Sequence, residues 1–358
     1  MKENGFSDTP EKYVSSIGST NWPPEMASFE RKKGFYPEVI ESSYYFNNLL
    51  SEFANLPFEE ATRISARAII NQNTLGKIID NPNKYIIETL IPLNGCGIPQ
   101  LEDCVLVYLG KNHLSRTPPS DIVKQQLDLA KQIFNNQSQQ QRQKIHDNQF
   151  SITLFDSNNL TPEVFQQYCH LYSIFSWEPH EIKEMLAASS NIIIYAQKKD
   201  SGQIVSSVLG EKGTITIERD GQSINLSLVE ITEAATLPSF RGNGLYQTVS
   251  DTLLDYLSQL SSPPNLVFGE LNLNSPGVLK VAARQNRTPA FYTAEEFGLP
   301  HAWFLPQHVT INQGSQTDNQ RPENYRYNNL MIAFLNQNSL LKRLKSPLLR
   351  IYGEKTDH

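Results

Sequence analysis

Apolar positions recur at helical spacing in the first third of this chain and alternate in short runs in the second half, with a polar tract between. Residues 1–36 are rich in Pro, Ser and Glu and hold no sustained period, which predicts an irregular N-terminal arm with one helical turn at 25–32. After Pro37, the apolar positions Val39, Tyr44, Phe46, Leu49, Leu50 and Phe53 predict a helix over 37–55. Further helices are predicted over 57–79 and 84–93, the latter stopped by Asn94-Gly95. Residues 105–109 form a short buried strand, and Thr117-Pro118-Pro119-Ser120 opens a helix through 134. The region 37–134 therefore reads as a mainly helical N-terminal domain. Residues 135–149 are dominated by Gln and Asn and have almost nothing to bury, so a linker and domain boundary are placed there.

Beyond it the alternation shortens. Strands are predicted at 150–155, 191–197, 204–209 and 214–218, with helices over 161–175 and 179–186. Asp220-Gly221 marks a hairpin into a long strand at 224–236. A helix at 244–260, a strand at 265–271, a helix ending at 284, strands at 303–311 and 327–334 and a helix over 338–348 complete the chain. Antiparallel strands come first, and one crossover helix then joins two strands that must be parallel. The predicted fold class is α/β (α+β): a mixed, mostly antiparallel twisted sheet flanked by helices over 150–336, with 337–358 as a C-terminal helix and tail.

A length of 358 residues fits two domains, or one large domain with an extension. The 31 basic and 37 acidic residues give a net charge of −6 with no Lys/Arg run, which argues against a nucleic-acid partner and suits a cationic small substrate. Cys96, Cys104 and Cys169 are odd in number and match no zinc spacing, so reduced cytosolic thiols are expected. Residues 1–10 lack a signal-peptide core and no apolar run reaches about 18 residues, so no membrane span is expected and the expected location is cytoplasmic.

The chemistry is carried by Leu237-Pro238-Ser239-Phe240-Arg241-Gly242-Asn243-Gly244. A strand ends at Pro238, the two glycines turn the backbone, and a long amphipathic helix follows. Amides at a helix N-terminus point outward and bind anions, so the loop suits a pyrophosphate. No Lys-Ser/Thr follows the glycines, which excludes a P-loop. Their spacing and the antiparallel strands before them exclude a dinucleotide fingerprint.

This segment resembles the coenzyme A-binding motif of the GNAT acyltransferases, Gln/Arg-x-x-Gly-x-Gly/Ala, and the element order from 150 to 334 follows that family's plan. Its "ATLP" is similar to the β-lysine acetyltransferase branch. The resemblance covers the C-terminal half and implies direct transfer of an acyl group, most simply acetyl from acetyl-coenzyme A, to an amine with no metal. It implies that the amides from Gly242 through Asn243, Gly244 and Leu245 to Tyr246 hold the pyrophosphate, with Arg241 beside them. Thr236 or Leu237 would hold the thioester oxygen and pantetheine. Glu230, or Glu233 if a bulge shifts the strand parity, would deprotonate the amine, and Tyr292 is the candidate acid. Tyr246 departs from the small residue of the motif. Asn272 and Asn274, which precede the following helix, are further candidates for holding the cofactor. His170, His180, Tyr168, Tyr172 and Trp177 flank the expected acceptor side, with a core or surface role the plainer reading for each. Two other readings stay open: a domain of this fold that binds acyl-coenzyme A or a protein without catalysis, and an interaction module in residues 1–140, which hold no motif.

Overall fold

A computed structural model of the chain describes residues 12–17, 27–32, 40–45, 63–80, 86–112, 120–136, 149–173, 178–219, 222–273, 275–299, 302, 304–311 and 325–344. The first third is richer in strand than its sequence predicts. Strands β1 (Lys12–Ile17), β2 (Ala27–Lys32), β3 (Ile40–Tyr45) and β4 (Arg63–Asn71) precede helix α1 (Gln72–Ile79). β5 (Ile86–Pro92), β6 (Cys104–Asn112) and α2 (Ser120–Asn135) follow. The expectation of an irregular arm and a mainly helical 37–134 is thus corrected. β2, β3, β4, β6 and β5 form a five-stranded sheet in that order, and β1 joins a second sheet. The physical reason is visible in β4 and β5, whose apolar residues are largely isoleucines. Branching at Cβ packs well on a pleated surface, and runs this short fit either period. The strand expected at 105–109 and the helix to 134 are present within β6 and α2.

The second half follows the predicted order. β7 (Phe150–Leu154), α3 (Pro162–Tyr172), α4 (Pro179–Ala187), β8 (Asn191–Lys198), β9 (Ile204–Arg219) and β10 (Gln222–Thr236) lead to α5 (Leu245–Ser258). Then come β11 (Leu266–Asn272), α6 (Pro276–Arg284), a short β12 (Thr288–Pro289), α7 (Ala290–Glu296), β13 (Phe304–Ile311), β14 (Tyr325–Asn336) and α8 (Gln337–Leu344). Helix starts follow local chemistry: Thr161 caps α3 through the amide of Val164, and Glu178 and Glu181 form a reciprocal box at α4. The nine-stranded sheet runs β12-β14-β11-β10-β9-β8-β7, with β1 on β9 and β13 on β14. Its one described parallel pair is β10 with β11.

β9 corrects a detail of the sequence reading, which split it at Gly210 and Gly213. It is continuous. A Cβ on Gly210 would meet both methyls of Leu253 and one of Val229 at 3.2 Å, so this glycine admits α5 close to the sheet instead of turning the chain.

The two faces of the sheet are covered differently. Val229, Ile231 and Val267 pack under Val249, Leu253 and Leu257 of α5. Leu226, Leu228 and Phe268 share a core with Leu90, Leu106 and Phe134 of the N-terminal elements. Phe134 meets Phe291 edge-on, with centroids 6.0 Å apart. Most of the expected linker, 137–148, lies outside the described residues, and the apolar core continues from the elements before it to those after it. The Asn94-Gly95-Cys96-Gly97 turn is part of this junction. Asn336 Nδ2 donates to the Asn94 carbonyl and Asn265 Nδ2 to that of Cys96, each at 3.0 Å. Cys96 is fully buried, and desolvation pushes its thiol up, away from the thiolate form that reacts.

Arg219 at the end of β9 clamps Asp103, Nη1 to Oδ1 at 2.7 Å and Nη2 to Oδ2 at 2.8 Å. This hydrogen-bonded guanidinium holds the Asp103 carboxyl below its usual value. A depressed carboxylate contributes stability above its unfolded pKa of about 4 and loses it as the pH falls through the folded value. Asp103 is 46% exposed, so solvent screens the pair to roughly 0.5–1 kcal/mol. Asp103→Asn is expected to lower the urea midpoint at pH 7 and to have no effect at pH 2. An equal loss at both pH values would rule out the charge.

Candidate active site

The site begins where two parallel strands part. β10 and β11 pair only at Leu228, Val229 and Glu230, opposite Leu266, Val267 and Phe268. The next step brings the Ile231 carbonyl to Gly269, where an added Cβ would lie 2.9 Å from that oxygen and 3.0 Å from Nη1 of Arg287. Arg287 is buried, at 2% exposure, and its Nη2 reaches Ser250 of α5 at 3.4 Å. β11 continues on β14, and β10 continues on β9 alone, so a fork opens between them.

β10 then takes an irregular step. Its register against β9 shifts between Thr232 and Ala235, which leaves one extra residue, and Glu233 lies in that bulge at φ +46°. A non-glycine residue in this left-handed region costs roughly 1–2 kcal/mol, so the surroundings must hold it. The bulge also reverses which backbone groups face the fork. The Leu237 amide bonds the Val205 carbonyl at 2.9 Å, so by alternation Thr236 turns its amide and carbonyl away from β9. Nε of Arg241 accordingly donates to the Thr236 carbonyl at 3.3 Å.

Beyond Thr236 the chain makes one short turn, Pro238–Phe240, and enters α5. Gly242 and Gly244 sit at φ +82° and +74°, conformations that need glycine. Asn243 braces the loop, its Nδ2 donating to the Phe240 carbonyl at 3.1 Å. The helical bond from the Thr248 amide to Gly244 leaves the amides of Leu245, Tyr246 and Gln247 ahead of it as anion donors. They open on a cleft of about 330 Å³ between α5 and α6, lined by Thr236, Arg241, Gly244, Gly277, Lys280 and Arg284 among others. The cleft lies beyond the carboxyl ends of the two forked strands, where open sheets with crossover helices bind ligands. Three cations and a helix N-terminus fit a polyphosphate there.

The predicted residues divide as follows. Glu230 is the last β10 residue paired with β11. It lies directly opposite Glu211 of β9, so both carboxylates project from one face. The bulge on which the reading of Glu233 depended is present. Gly242, Asn243, Gly244, Leu245 and Tyr246 form the loop and first helical turn. Tyr246 is partly buried, and desolvation raises its phenol pKa, with Arg287, Ser250 and Asp251 close by, so its hydroxyl points into the interior. Asn272 ends β11 opposite Leu330, and Asn274 and Trp177 lie outside the described residues. His170 and His180 are exposed, and Tyr168 and Tyr172 belong to the core.

Two expectations are corrected. Leu237 cannot offer its amide to the fork, because β9 holds it. Tyr292 is not in the cleft: α7 carries it toward the N-terminal elements, where its hydroxyl bonds Asn135 and its ring meets Phe291 at 4.5 Å. Sequence reasoning missed Lys280, Arg284 and Arg287. Gly277, Lys280 and Arg284 recur at helical spacing after Pro276, a signal that was available. Nothing local marked Arg287.

No protein-family model and no curated protein matches the sequence. Solved structures do. Arabidopsis thaliana NAA60 in complex with acetyl-CoA matches at 10% identity and TM-score 0.37, covering 52% of this chain and 99% of its own. An N-acetyltransferase from Staphylococcus aureus Mu50 matches at 12% identity and TM-score 0.33, covering 54% and 98%. The Escherichia coli ribosomal-protein-S18-alanine N-acetyltransferase matches at 12% and 0.30, covering 52% and 94%. Independently of these likenesses, the strand order, the fork after Glu230 and the double-glycine loop define a GNAT-type fold in the C-terminal half. Among the described residues, no helix is long and apolar enough to cross a membrane and no cluster of His, Cys, Asp or Glu could hold a metal.

Gly269→Ala must displace the Ile231 carbonyl or the Arg287 guanidinium, and overpacking of this kind costs roughly 1–3 kcal/mol. Gly277→Ala meets nothing within 4 Å and is expected to leave the denaturant midpoint unchanged or raised. If the two variants unfold alike, the fork is not packed as described.

Proposed function

We propose that this protein is an acyl-coenzyme A-dependent N-acyltransferase, most simply an acetyltransferase, acting on a primary amine by direct attack. The observation that carries the reading is the left-handed Gly242–Gly244 loop between a forked strand and a helix N-terminus, opening on a cation-lined cleft. Acyl-coenzyme A would supply the activated thioester. The amides of Leu245, Tyr246 and Gln247, with Arg241, Lys280 and Arg284, would bind its phosphates. The Thr236 amide would donate to the thioester oxygen in the fork. The structural neighbours include an acetyltransferase bound to acetyl-CoA and spermidine/spermine N-acetyltransferases, which is compatible with this assignment.

The acceptor reading rests on charge. Glu211 and Glu230 face the same way across β9 and β10, and Glu270, two residues after Phe268, shares that face by strand parity. Such a row favours a cationic amine. An alkyl amine with a pKa of about 10.4 must lose a proton before attack, and Glu230 is the proposed base, directly or through water, with Glu233 the other candidate. As the new C–N bond forms and the C–S bond breaks, the amine proton goes to the carboxylate and the departing thiolate takes up a proton. A binding-only domain is favoured by one observation, the bulky Tyr246 in place of the small motif residue.

Calorimetry with acetyl-coenzyme A is expected to give micromolar binding to the wild-type chain and at least a tenfold loss for Gly277→Trp, which fills the cleft. Glu230→Gln is expected to keep that affinity and to lower kcat by 10²-fold or more, the usual scale for a lost general base. Binding without turnover on any polyamine or peptide amine would select the binding-only reading. Absence of binding would end both.

A further inference from the structure

Tyr172 ends α3, is fully buried, and stacks on Tyr168 with ring planes 12° apart and centroids at 6.2 Å. Its hydroxyl donates to the carbonyl oxygen of Glu233 at 2.9 Å. That carbonyl belongs to the one non-glycine residue of β10 in the left-handed region, inside the bulge. The contact thus joins a rigid aromatic pair in the core to the most constrained peptide of the forked strand, across 61 residues of sequence.

The consequence follows from parity. β10 advances from Thr232 to Ala235 while β9 moves only from Leu209 to Ser207. Without the extra residue, every backbone group after it would turn to the opposite side. The amide facing the fork would then be that of Ala235 or Leu237 instead of Thr236. Ser206 secures the far side of the bulge, its Oγ donating to the Ala235 carbonyl at 3.0 Å and lying 2.9 Å from Thr236 Oγ1. The near side is secured by Tyr172. Burial pushes its phenol above the usual tyrosine range, so it stays a donor at any working pH.

We infer that Tyr172 is a positioning residue of the thioester site, holding the extra residue of β10 in place so that the Thr236 amide faces the fork. The inference rests on the acyltransferase reading for its catalytic consequence, though not for the contact itself. Tyr172 touches neither the thioester nor the amine.

The test compares Tyr172→Phe with Tyr168→Phe in the full chain. Both keep the stacked rings. Tyr168 is also buried, and its hydroxyl has no partner in hydrogen-bond geometry, so it controls for loss of a phenol from this core. Three quantities are read: the acetyl-coenzyme A dissociation constant, kcat for thiol release with spermidine or a peptide amine, and amide hydrogen exchange over residues 229–240. For Tyr172→Phe the expected result is a kcat lower by tenfold or more, a dissociation constant within twofold of wild type, and exchange at least tenfold faster in that segment alone. Tyr168→Phe is expected to match wild type in all three. An unchanged kcat, or a uniform rise in exchange with kcat and affinity falling together, overturns the inference. If the wild-type chain fails to bind acetyl-coenzyme A, the proposed function falls. Exchange in 229–240 still decides whether Tyr172 holds the bulge, and unchanged exchange there rejects it.

Discussion

Everything distinctive in this molecule depends on two parallel strands that pair for three residues and then separate. A sheet interior normally satisfies its backbone groups by pairing, and a break in the middle leaves donors and acceptors with no strand to meet. Such a break persists only if side chains hold it open. Here Gly269 brings its backbone against the Ile231 carbonyl, Arg287 is wedged between that step and α5, and a bulge carries β10 away. The cost is set against two extensive cores, one on each face. Stability resides in the covered faces, and the chemistry proposed here uses the seam between them.

The covering is unequal, and the inequality has meaning. On one side α5 packs so closely that a Cβ on Gly210 would lie 3.2 Å from Leu253. On the other, the N-terminal sheet and α2 join the same core as β10, β11 and β14. Glu230 shares this second face with Leu226 and Leu228 by strand parity. The N-terminal third therefore supports the fold by sharing the core of this face. Its junction is polar in places, with Asn336, Asn265 and Arg219 each bonded to the segment 94–104. Hydrogen bonds of this directional kind fix orientation more than they add stability.

Legibility from sequence followed how local the determinants were. The Gly242–Gly244 turn could be read because positive φ, anion-binding amides and a following helix are all encoded within about ten residues. The apolar runs of β8 and β11 and the long strand β10 were equally clear. β4 and β5 were misread because Ile-rich runs of seven to nine residues satisfy either period, and only the neighbouring β6 decides between them. β9 was split between 209 and 214 because the reason for Gly210, Leu253, is 43 residues away in sequence. Tyr292 was a candidate only as a tyrosine beyond the helix that ends at 284, and α7 turns it toward Asn135. Arg287 and the Tyr172–Glu233 contact had no local signal at all.

The overall charge of −6 conceals a separation that matters more. Arg241, Lys280 and Arg284 gather at the open end of the fork, beyond the strand ends, whereas Glu211, Glu230 and Glu270 lie along one face of the strands that form it. A polyanionic donor and a cationic acceptor would therefore be drawn to different approaches and could meet only where the strands part. The field along a cleft lined with one sign of charge raises the local concentration of its counterion. On the proposed function, two such regions of opposite sign, joined by a gap in the sheet, would favour each substrate in its own subsite. On this view the fork would do more than admit a thioester: it would link the two regions of opposite charge among the described residues. The bulge that sets which amide faces that passage is then the point at which fold and specificity are the same constraint.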